Sequence, residues 1–321
     1  MAFDDRTRIA LPRVARLTLI GVVVGAAYGY VSSRADHAGG IGLVRGALSG
    51  LLIALPISSL DAFVLMTPGS RLSRAPFLLN VGARTLIYLA IFLASIAVGQ
   101  LLLPNRPSHR VVDISRADIL FCFAATFVVT FLFEVNGLIG QNVLLAFVTG
   151  RYHRPHVEER VFLIFDMKGS TAAAERLGEV DFHRLLNRLV TDLSTAIVLE
   201  GGRIHKYAGD ELIATWLLAD GMKNARCLRA CFKAIERLKG LAPDYEREFG
   251  QRVGLRAALH CGPVVAGEMG SVKKEIVLLG DTLNTAARII DACRSSGETV
   301  IASKALLDRL ALPSTRVHWA Q

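Results

Sequence analysis

Residues 162–171 read FLIFDMKGST, and this stretch decides the fold of the second half of the chain. Its apolar run predicts a buried strand that ends at Asp166, and the small residues that follow predict a loop opening a helix. Backbone N–H groups at such a helix start can bind phosphate. We expect Asp166 to bind metal and the next five residues to lie along a bound phosphate: Met167, Lys168, Gly169, Ser170 and Thr171. A simpler alternative is that Ser170 or Thr171 merely caps the helix.

A second carboxylate, Asp210, stands inside HKYAGDE at 205–211. The Gly-Asp pair suits a two-residue turn between the strand-like runs RIHKY and ELIATW, so the pattern predicts a β-hairpin. Carboxylates at two separate strand ends can hold a pair of divalent cations against a nucleotide triphosphate. Asp210 could also be a turn residue and nothing more.

A third polar segment, GDTLNTAARI, covers 280–289. It places Asn284 and Arg288 at i and i+4, so both side chains project from one face of a predicted helix. The planar guanidinium suits a developing phosphoryl charge, and the amide can orient a sugar oxygen. The alternative is an amphipathic helix whose polar face happens to include both.

From Arg160 onward, short apolar runs alternate with helical patterns. The predicted order is strand, helix, hairpin, helix, strand, strand, helix, strand, helix. This order predicts an α+β domain with a mostly antiparallel sheet and with helices against one face.

The first half of the chain has a different composition. Residues 1–150 contain no lysine and seven acidic side chains, whereas 25 of the 37 basic groups come after them. A spanning helix needs roughly 20 apolar residues, and four segments qualify or nearly do. They predict a four-helix transmembrane bundle, with spans at about 17–33, 41–67, 77–104 and 119–141. In the first span, glycines at four-residue spacing would let another helix approach closely: Gly21, Gly25 and Gly29.

Ionisable groups within membrane spans are costly, and three of them fall at similar depth near the predicted cytoplasmic ends. Asp61, Arg84 and Glu134 therefore predict a charge cluster, unless each side chain reaches the lipid headgroups separately. Arginines flanking the spans place the N-terminus and the second half of the chain on the cytoplasmic side of an inner membrane. We predict a transmembrane domain at 1–139, a connector at 140–158 and a catalytic domain at 159–321.

The net charge of +9 does not indicate nucleic-acid binding, because most N-terminal arginines lie at the ends of apolar runs, beside lipid headgroups. The cysteines show no spacing typical of metal ligands and are predicted to be buried, reduced thiols. They are Cys122, Cys227, Cys231, Cys261 and Cys293.

Together the three polar segments resemble the class III nucleotidyl cyclases, the adenylate and guanylate cyclases, over about 160–310. FDMKGST is similar to their first metal-aspartate motif, HKYAGDE to the hairpin with the second, and GDTLNTAAR to the helix that acts on the transition state. The resemblance implies a ferredoxin-like domain in which Asp166 and Asp210 bind two Mg²⁺ or Mn²⁺ ions. It also implies that the ribose 3′-oxygen of ATP attacks the α-phosphorus, with Asn284 and Arg288 as catalytic residues.

In this family the metal ligands and the Lys, Asn and Arg groups come from opposite protomers, so the resemblance implies a head-to-tail homodimer. Lys206 falls at the purine-reading position, where an ammonium suits N1 of adenine and opposes N1–H of guanine. The second base-reading position is Val277, which departs from the usual Asp or Thr and cannot accept from the adenine amine. The chain also stops soon after its last helix, and Arg316 is the one candidate left for the leaving pyrophosphate.

Three other functions remain open. A guanylate cyclase would use GTP, and the AGDEL hairpin also resembles a degenerate signature of diguanylate cyclases, although Lys206 and the Asn284/Arg288 helix argue against that chemistry. A non-enzymatic membrane sensor, with the cyclase-like domain as a dimerisation module, is the third.

Overall fold

A computed structural model of the protein describes residues 5–32, 39–65, 76–102 and 143–310, with isolated positions at 120, 123–124, 127–128, 130–131, 134–135 and 140. The chain divides into two compact units, Met1–Leu138 and Ile139–Gln321. The predicted borders of the connector and the catalytic domain stay predictions.

Among its described residues the first unit contains three long helices: α1 (Asp5–Ser32), α2 (Gly39–Leu60), which continues as a π-helical turn (Asp61–Leu65), and α3 (Phe77–Leu102). Each holds a stretch long and apolar enough to cross a membrane, namely Ala10–Val31, Gly42–Phe63 and Phe77–Ser95. The fourth predicted span, 119–141, falls largely outside the described residues, so the four-helix bundle stays a prediction.

Helices α1 and α2 pack with their backbones in contact. A Cβ added to Gly25 would lie 2.3 Å from the carbonyl oxygen of Gly46, and one added to Gly46 would lie 2.0 Å from the carbonyl oxygen of Gly25. The same interlocking holds at both ends of the contact, where Gly29 meets Gly42 and Gly21 meets Gly50. The expected close approach of a second helix is therefore confirmed, and the partner is α2.

Asp61, Arg84 and Glu134, the three ionisable groups predicted to meet, form one cluster. The Arg84 Nη1 atom lies 3.1 Å from Asp61 Oδ1 and 2.7 Å from Glu134 Oε1, and the Arg84 side chain is 6% exposed. Asn80 accepts from Arg84 Nε at 2.9 Å and donates to Glu134 at 3.3 Å. The predicted charge cluster is confirmed, because the three side chains meet rather than extend separately to the headgroups.

The second unit is an α+β domain built on one six-stranded sheet. Its strands are β1 (His156–Lys168), β2 (Arg203–Ala208), β3 (Glu211–Leu217), β4 (Gly254–Met269), β5 (Glu275–Leu279) and β6 (Val300–Ala302). They lie in the order β2-β3-β1-β4-β5, all neighbours antiparallel, and β6 pairs in parallel with β4. The predicted mostly antiparallel sheet is confirmed.

The predicted helices occur in the predicted order, with additional short helices before and between them. The helices of this unit are α4 (Val143–Val148), α5 (Ser170–Leu177), α6 (Glu179–Leu199), α7 (Leu218–Met222), α8 (Arg226–Gly240), α9 (Ala242–Phe249), α10 (Asp281–Ser296) and α11 (Lys304–Leu310).

Helices cover both faces of the sheet, so the expectation of one covered face was wrong. On one face Leu163 and Phe165 of β1 share a core with α6, α8 and α9. On the other face Phe162 and Ile164 share a second core with Ile290 of α10. Since successive strand residues point to opposite faces, the unbroken apolar run of β1 requires an apolar layer on each side.

Four cysteines are buried free thiols, as predicted: Cys227, Cys231, Cys261 and Cys293. Burial raises the pKa of the Cys227 thiol to about 11. Such thiols stay protonated and act as small apolar side chains. Cys122 lies outside the described residues.

Candidate active site

The predicted metal-binding carboxylates are brought to one end of the sheet by strand pairing. In the β1–β3 ladder Asp166 lies directly opposite Glu211, which follows Asp210 in the chain. Paired residues of an antiparallel ladder project to the same face. Asp166 and Glu211 therefore share a face, with Asp210 beside them at the strand end.

The hairpin that carries Asp210 has the predicted two-residue turn, Gly209–Asp210, between β2 and β3. Gly209 has a φ of +62°, a left-handed conformation that suits glycine at the first position of such a turn. Between Ile204 and Lys206 the ladder shifts register, since His205 is an extra residue in β2. This bulge sets the direction of Lys206, because a bulge re-aims the side chains that follow it.

Two arginines hold the Asp166 carboxylate, whose side chain is 2% exposed. Arg294 of α10 donates from Nη2 to Asp166 Oδ1 at 2.6 Å and to Glu211 Oε1 at 2.9 Å. Arg256 of β4 donates to Asp166 Oδ2 at 3.1 Å. The hydrogen bond to Asp166 raises the pKa of Arg294 further above its usual range, so that guanidinium stays charged.

Burial raises the pKa of the Glu211 carboxyl, and the nearby Asp166 and Asp210 carboxylates act in the same direction against the opposing effect of Arg294. Glu211 is thus close enough to both Asp166 and Asp210 to be affected by their charges. Mutual repulsion of this kind is relieved when a cation joins the group.

The strand was predicted to end at Asp166, but β1 continues to Lys168, because Met167 and Lys168 still pair with β4. Helix α5 then begins at Ser170. Gly169 has a φ of +71° and is the N-cap of α5, with no side-chain hydrogen bond capping the helix. The hydroxyls of Ser170 and Thr171 therefore do not cap it, contrary to the simpler alternative. The first amides of α5 have no acceptor within the helix and can bind an anion.

The catalytic pair predicted on α10 lies away from these carboxylates. Thr282, Ala286 and Ile290 face the core, and Thr282 donates to the carbonyl oxygen of Pro263 at 2.6 Å. Asn284 and Arg288 consequently face solvent and are exposed. Within residues 143–310 neither makes a hydrogen bond or an ion pair with Asp166 or Asp210.

The two base-reading candidates lie on opposite edge strands. Lys206 is exposed on β2, and Val277 is half-buried on β5, opposite Gly267. One chain therefore brings together Asp166, Asp210 and the segment between Asp166 and α5. The other predicted site residues, Lys206, Val277, Asn284 and Arg288, lie apart from this group. Arg316, the pyrophosphate candidate, lies outside the described residues.

Sequence reasoning missed three residues of the carboxylate group: Glu211, Arg256 and Arg294. Glu211 had a usable signal, since it directly follows Asp210 and opens a strand. The two arginines had none, because Arg256 and Arg294 reach Asp166 from positions 90 and 128 residues away in the chain.

The residues at this strand end fit a cation site by the chemistry of their donors. In the described part of the chain no three carboxylate, imidazole or thiolate groups are arranged to hold a metal ion by themselves. Mg²⁺ usually takes one or two carboxylates together with substrate phosphates, so Asp166 and Asp210 supply the protein's expected share. The Arg294 guanidinium already places positive charge against Asp166 and Glu211, where a metal cation would lie.

Comparison with known proteins adds the following. Residues 154–313 match the model of the adenylate and guanylate cyclase catalytic domain. The chain is 33% identical over 317 residues to adenylate cyclase 2 of Rhizobium meliloti (strain 1021), covering 96% of this chain and 85% of that protein. It is 27% identical over 163 residues to an adenylate cyclase of Anabaena cylindrica, covering 49% of this chain and 32% of that protein. In fold it is similar to a bacterial light-regulated adenylyl cyclase, with a TM-score of 0.53, 21% identity and 64% of each chain covered.

Proposed function

Because the chain belongs to the class III adenylate and guanylate cyclase family, we propose that it is a membrane-anchored adenylate cyclase, which converts ATP into 3′,5′-cyclic AMP and pyrophosphate. The observation that carries this proposal is the β1–β3 register, which sets Asp166 opposite Glu211 and beside Asp210. Carboxylates at this strand end, next to the uncapped start of α5, suit a metal-bound triphosphate.

Asp166 and Asp210 would hold two Mg²⁺ or Mn²⁺ ions, which would supply activation of the ribose 3′-hydroxyl and neutralisation of phosphate charge. The amides of residues 167–171 bind the phosphate oxygens. Arg288 stabilises the negative charge that develops on the α-phosphate, and Asn284 orients the ribose. Lys206 donates to N1 of adenine, which favours ATP over GTP.

These groups meet between two protomers. Exposed apolar side chains lie towards both edges of the sheet, Tyr207 on β2 at 53% and Leu279 on β5 at 50%, with Met269 of β4 at 51%. Contiguous exposed apolar surface marks protein contacts, and these three side chains would contribute to such a surface. A head-to-tail dimer buries both edges and sets the Asn284/Arg288 helix of one protomer against the Asp166 end of the other.

The membrane unit anchors this dimer in the inner membrane, with the catalytic unit on the cytoplasmic side where ATP is available. Three helices of sufficient length and apolarity support the anchor. An even number of spans, completed by the 119–141 segment, is consistent with both ends being cytoplasmic.

Product identification tests the activity. Purified full-length protein is incubated with Mn²⁺ and either ATP or GTP, and cyclic AMP, cyclic GMP and cyclic di-GMP are measured. We expect cyclic AMP from ATP. A faster conversion of GTP would assign guanylate cyclase activity instead, and the absence of any cyclic product would favour the dimerisation module.

Shared sites are tested by mixing two inactive variants, Asp166→Asn and Arg288→Ala, through co-expression. Half of randomly assembled dimers are mixed, and each mixed dimer retains one intact site of two, so roughly a quarter of wild-type activity returns. A mixture as inactive as its components would show that each site lies within one chain.

A further inference from the structure

Arg294 has no role in the proposed chemistry, yet it lies at the centre of the carboxylate group. It stands in the last turn of α10 and contacts three acidic side chains. Its Nη2 atom bridges Asp166 and Glu211, and its Nη1 atom lies 2.8 Å from Asp291 Oδ1. One guanidinium thus ties the strand ends of β1 and β3 to α10.

The contacts with Asp166 conflict with metal binding. Arg294 donates to both oxygens, from Nη2 to Oδ1 at 2.6 Å and from Nε to Oδ2 at 3.4 Å, and Arg256 also donates to Oδ2, so both oxygens of this buried carboxylate already accept from a cation. Positive groups in contact with a carboxylate oppose the approach of a divalent cation to the same oxygens. At least one arginine must leave Asp166 before a pair of cations can bind there.

Exposure and backbone placement indicate which arginine leaves. Arg256 is the ladder partner of Asp166 in β4, and its side chain is 22% exposed. The Arg294 side chain is 42% exposed, and Asp291, one helical turn before it, remains available as a partner at 66% exposure. Arg294 can therefore turn outward without losing its last ion pair.

Resting on the proposed cyclase function, we propose that Arg294 is a positioning residue that acts as an internal counter-ion for the metal site. It holds Asp166 and Glu211 together before cations bind, and it competes with the incoming cation for the Asp166 carboxylate. Cation binding then requires that Arg294 withdraw to Asp291. The competition lowers the affinity for metal, but the same contacts keep Asp166 and Glu211 together when no metal is bound.

Mn²⁺ binding to the full-length protein in detergent, without nucleotide, tests this competition through the electron paramagnetic resonance signal of free Mn²⁺. Arg294→Gln is expected to bind Mn²⁺ about 10-fold more tightly, the lower end of what a contacting opposite charge does to a carboxylate. Arg294→Lys keeps the charge but cannot bridge two carboxylates, so the Mn²⁺ affinity of this variant should lie between those of wild type and Arg294→Gln. The matched control is Arg252→Gln, which removes an exposed guanidinium paired with Glu246.

Thermal unfolding gives a second readout. Without divalent cations Arg294→Gln should melt at a lower temperature than wild type, and saturating Mn²⁺ should remove that difference, because the metal replaces the lost counter-ion. An unchanged or weaker Mn²⁺ affinity in Arg294→Gln would overturn the proposal. So would a melting deficit of equal size with and without Mn²⁺, since a purely structural residue gives that result.

Asp166→Asn separates this proposal from the proposed function. If Asp166→Asn abolishes the tight Mn²⁺ site while Arg294→Gln leaves it unchanged, the counter-ion role fails and the metal assignment stands. If Asp166→Asn leaves both Mn²⁺ binding and cyclic AMP production intact, the metal assignment itself fails.

Discussion

Each unit of the chain sets an arginine between carboxylates, and the two arrangements differ in exposure. In the first unit Arg84 is 6% exposed and its partners Asp61 and Glu134 are 14% and 18% exposed. In the second unit Arg294 is 42% exposed against an Asp166 that is 2% exposed. A buried arginine has no solvated alternative and serves the fold, whereas a half-exposed one can exchange its place with another cation.

The largest expected effect comes from breaking the buried cluster. Arg84→Gln removes the guanidinium charge that lies between Asp61 and Glu134, which should lower the free energy of unfolding by about 3–5 kcal/mol. The triple variant Asp61→Asn, Arg84→Gln, Glu134→Gln carries no charge at these positions and should recover most of that loss. Thermal unfolding in detergent measures both. A triple variant no more stable than Arg84→Gln would show that the charges have a role beyond mutual neutralisation.

The next effect is on chemistry. Asp166→Asn should lower cyclic AMP production at least about 100-fold, equivalent to about 2.7 kcal/mol in barrier height, since a proposed metal ligand is lost. Steady-state assays with Mn²⁺ and ATP measure the change. Asp181→Asn is the control, because its ion pair with Arg184 is exposed. Equal activity of the two variants would contradict the role given to Asp166.

The glycine contact between α1 and α2 gives a smaller effect. Gly46→Ala puts a methyl group 2.0 Å from the carbonyl oxygen of Gly25, so the helices must separate, at about 1–3 kcal/mol. Gly82→Ala in α3 is the matched control, since a Cβ there meets nothing within 4 Å. Melting temperatures of the two variants in the same detergent decide the point, and equal values would argue against backbone contact.

The smallest effect concerns a third cluster, whose cations are about as exposed as Arg294. Glu200 is 4% exposed, and its partners Arg229 and Lys233 are each 47% exposed. Burial opposes ionisation of Glu200, but hydrogen bonds from Lys233 and Arg229 outweigh it and lower the pKa below the usual 4.5. The pairs therefore stabilise the fold above that pH, and their contribution disappears as the pH falls through the lowered pKa.

Glu200→Gln should accordingly cost about 1 kcal/mol at pH 7, a value reduced because solvent screens the half-exposed partners. The difference from wild type should shrink as the pH is lowered below 4.5. Chemical unfolding at a series of pH values measures it. A difference independent of pH would assign the loss to packing.

Local pattern was sufficient for features that depend on neighbours in the chain. The two-residue turn at Gly209–Asp210 and the polar face of the Asn284 helix follow from spacing and turn chemistry, whereas β1 continues past its predicted end at Asp166 to Lys168. The cluster of Asp61, Arg84 and Glu134 was also predictable, because membrane depth restricts where charged groups can lie.

Features that depend on tertiary packing were not predictable in the same way. The glycines of α1 were recognised, but their partners were not, although Gly42, Gly46 and Gly50 repeat the same spacing in α2. The unbroken apolar run of β1 indicates that both faces of the sheet are covered, although the sequence prediction named one face. Arg256 and Arg294 meet Asp166 through the folded sheet and helix, and no local pattern marks them.

The extra residue at His205 has a consequence for how this hairpin tolerates change in chain length. Ile204 pairs with Ala214 and Lys206 with Ile213, so removal of His205 would leave both flanking pairs in place. A deletion elsewhere in β2 would instead turn a row of side chains to the wrong side of the sheet. The hairpin thus contains one position where the chain can be shortened without moving its acidic tip, and such a deletion would change the aim of Lys206 alone.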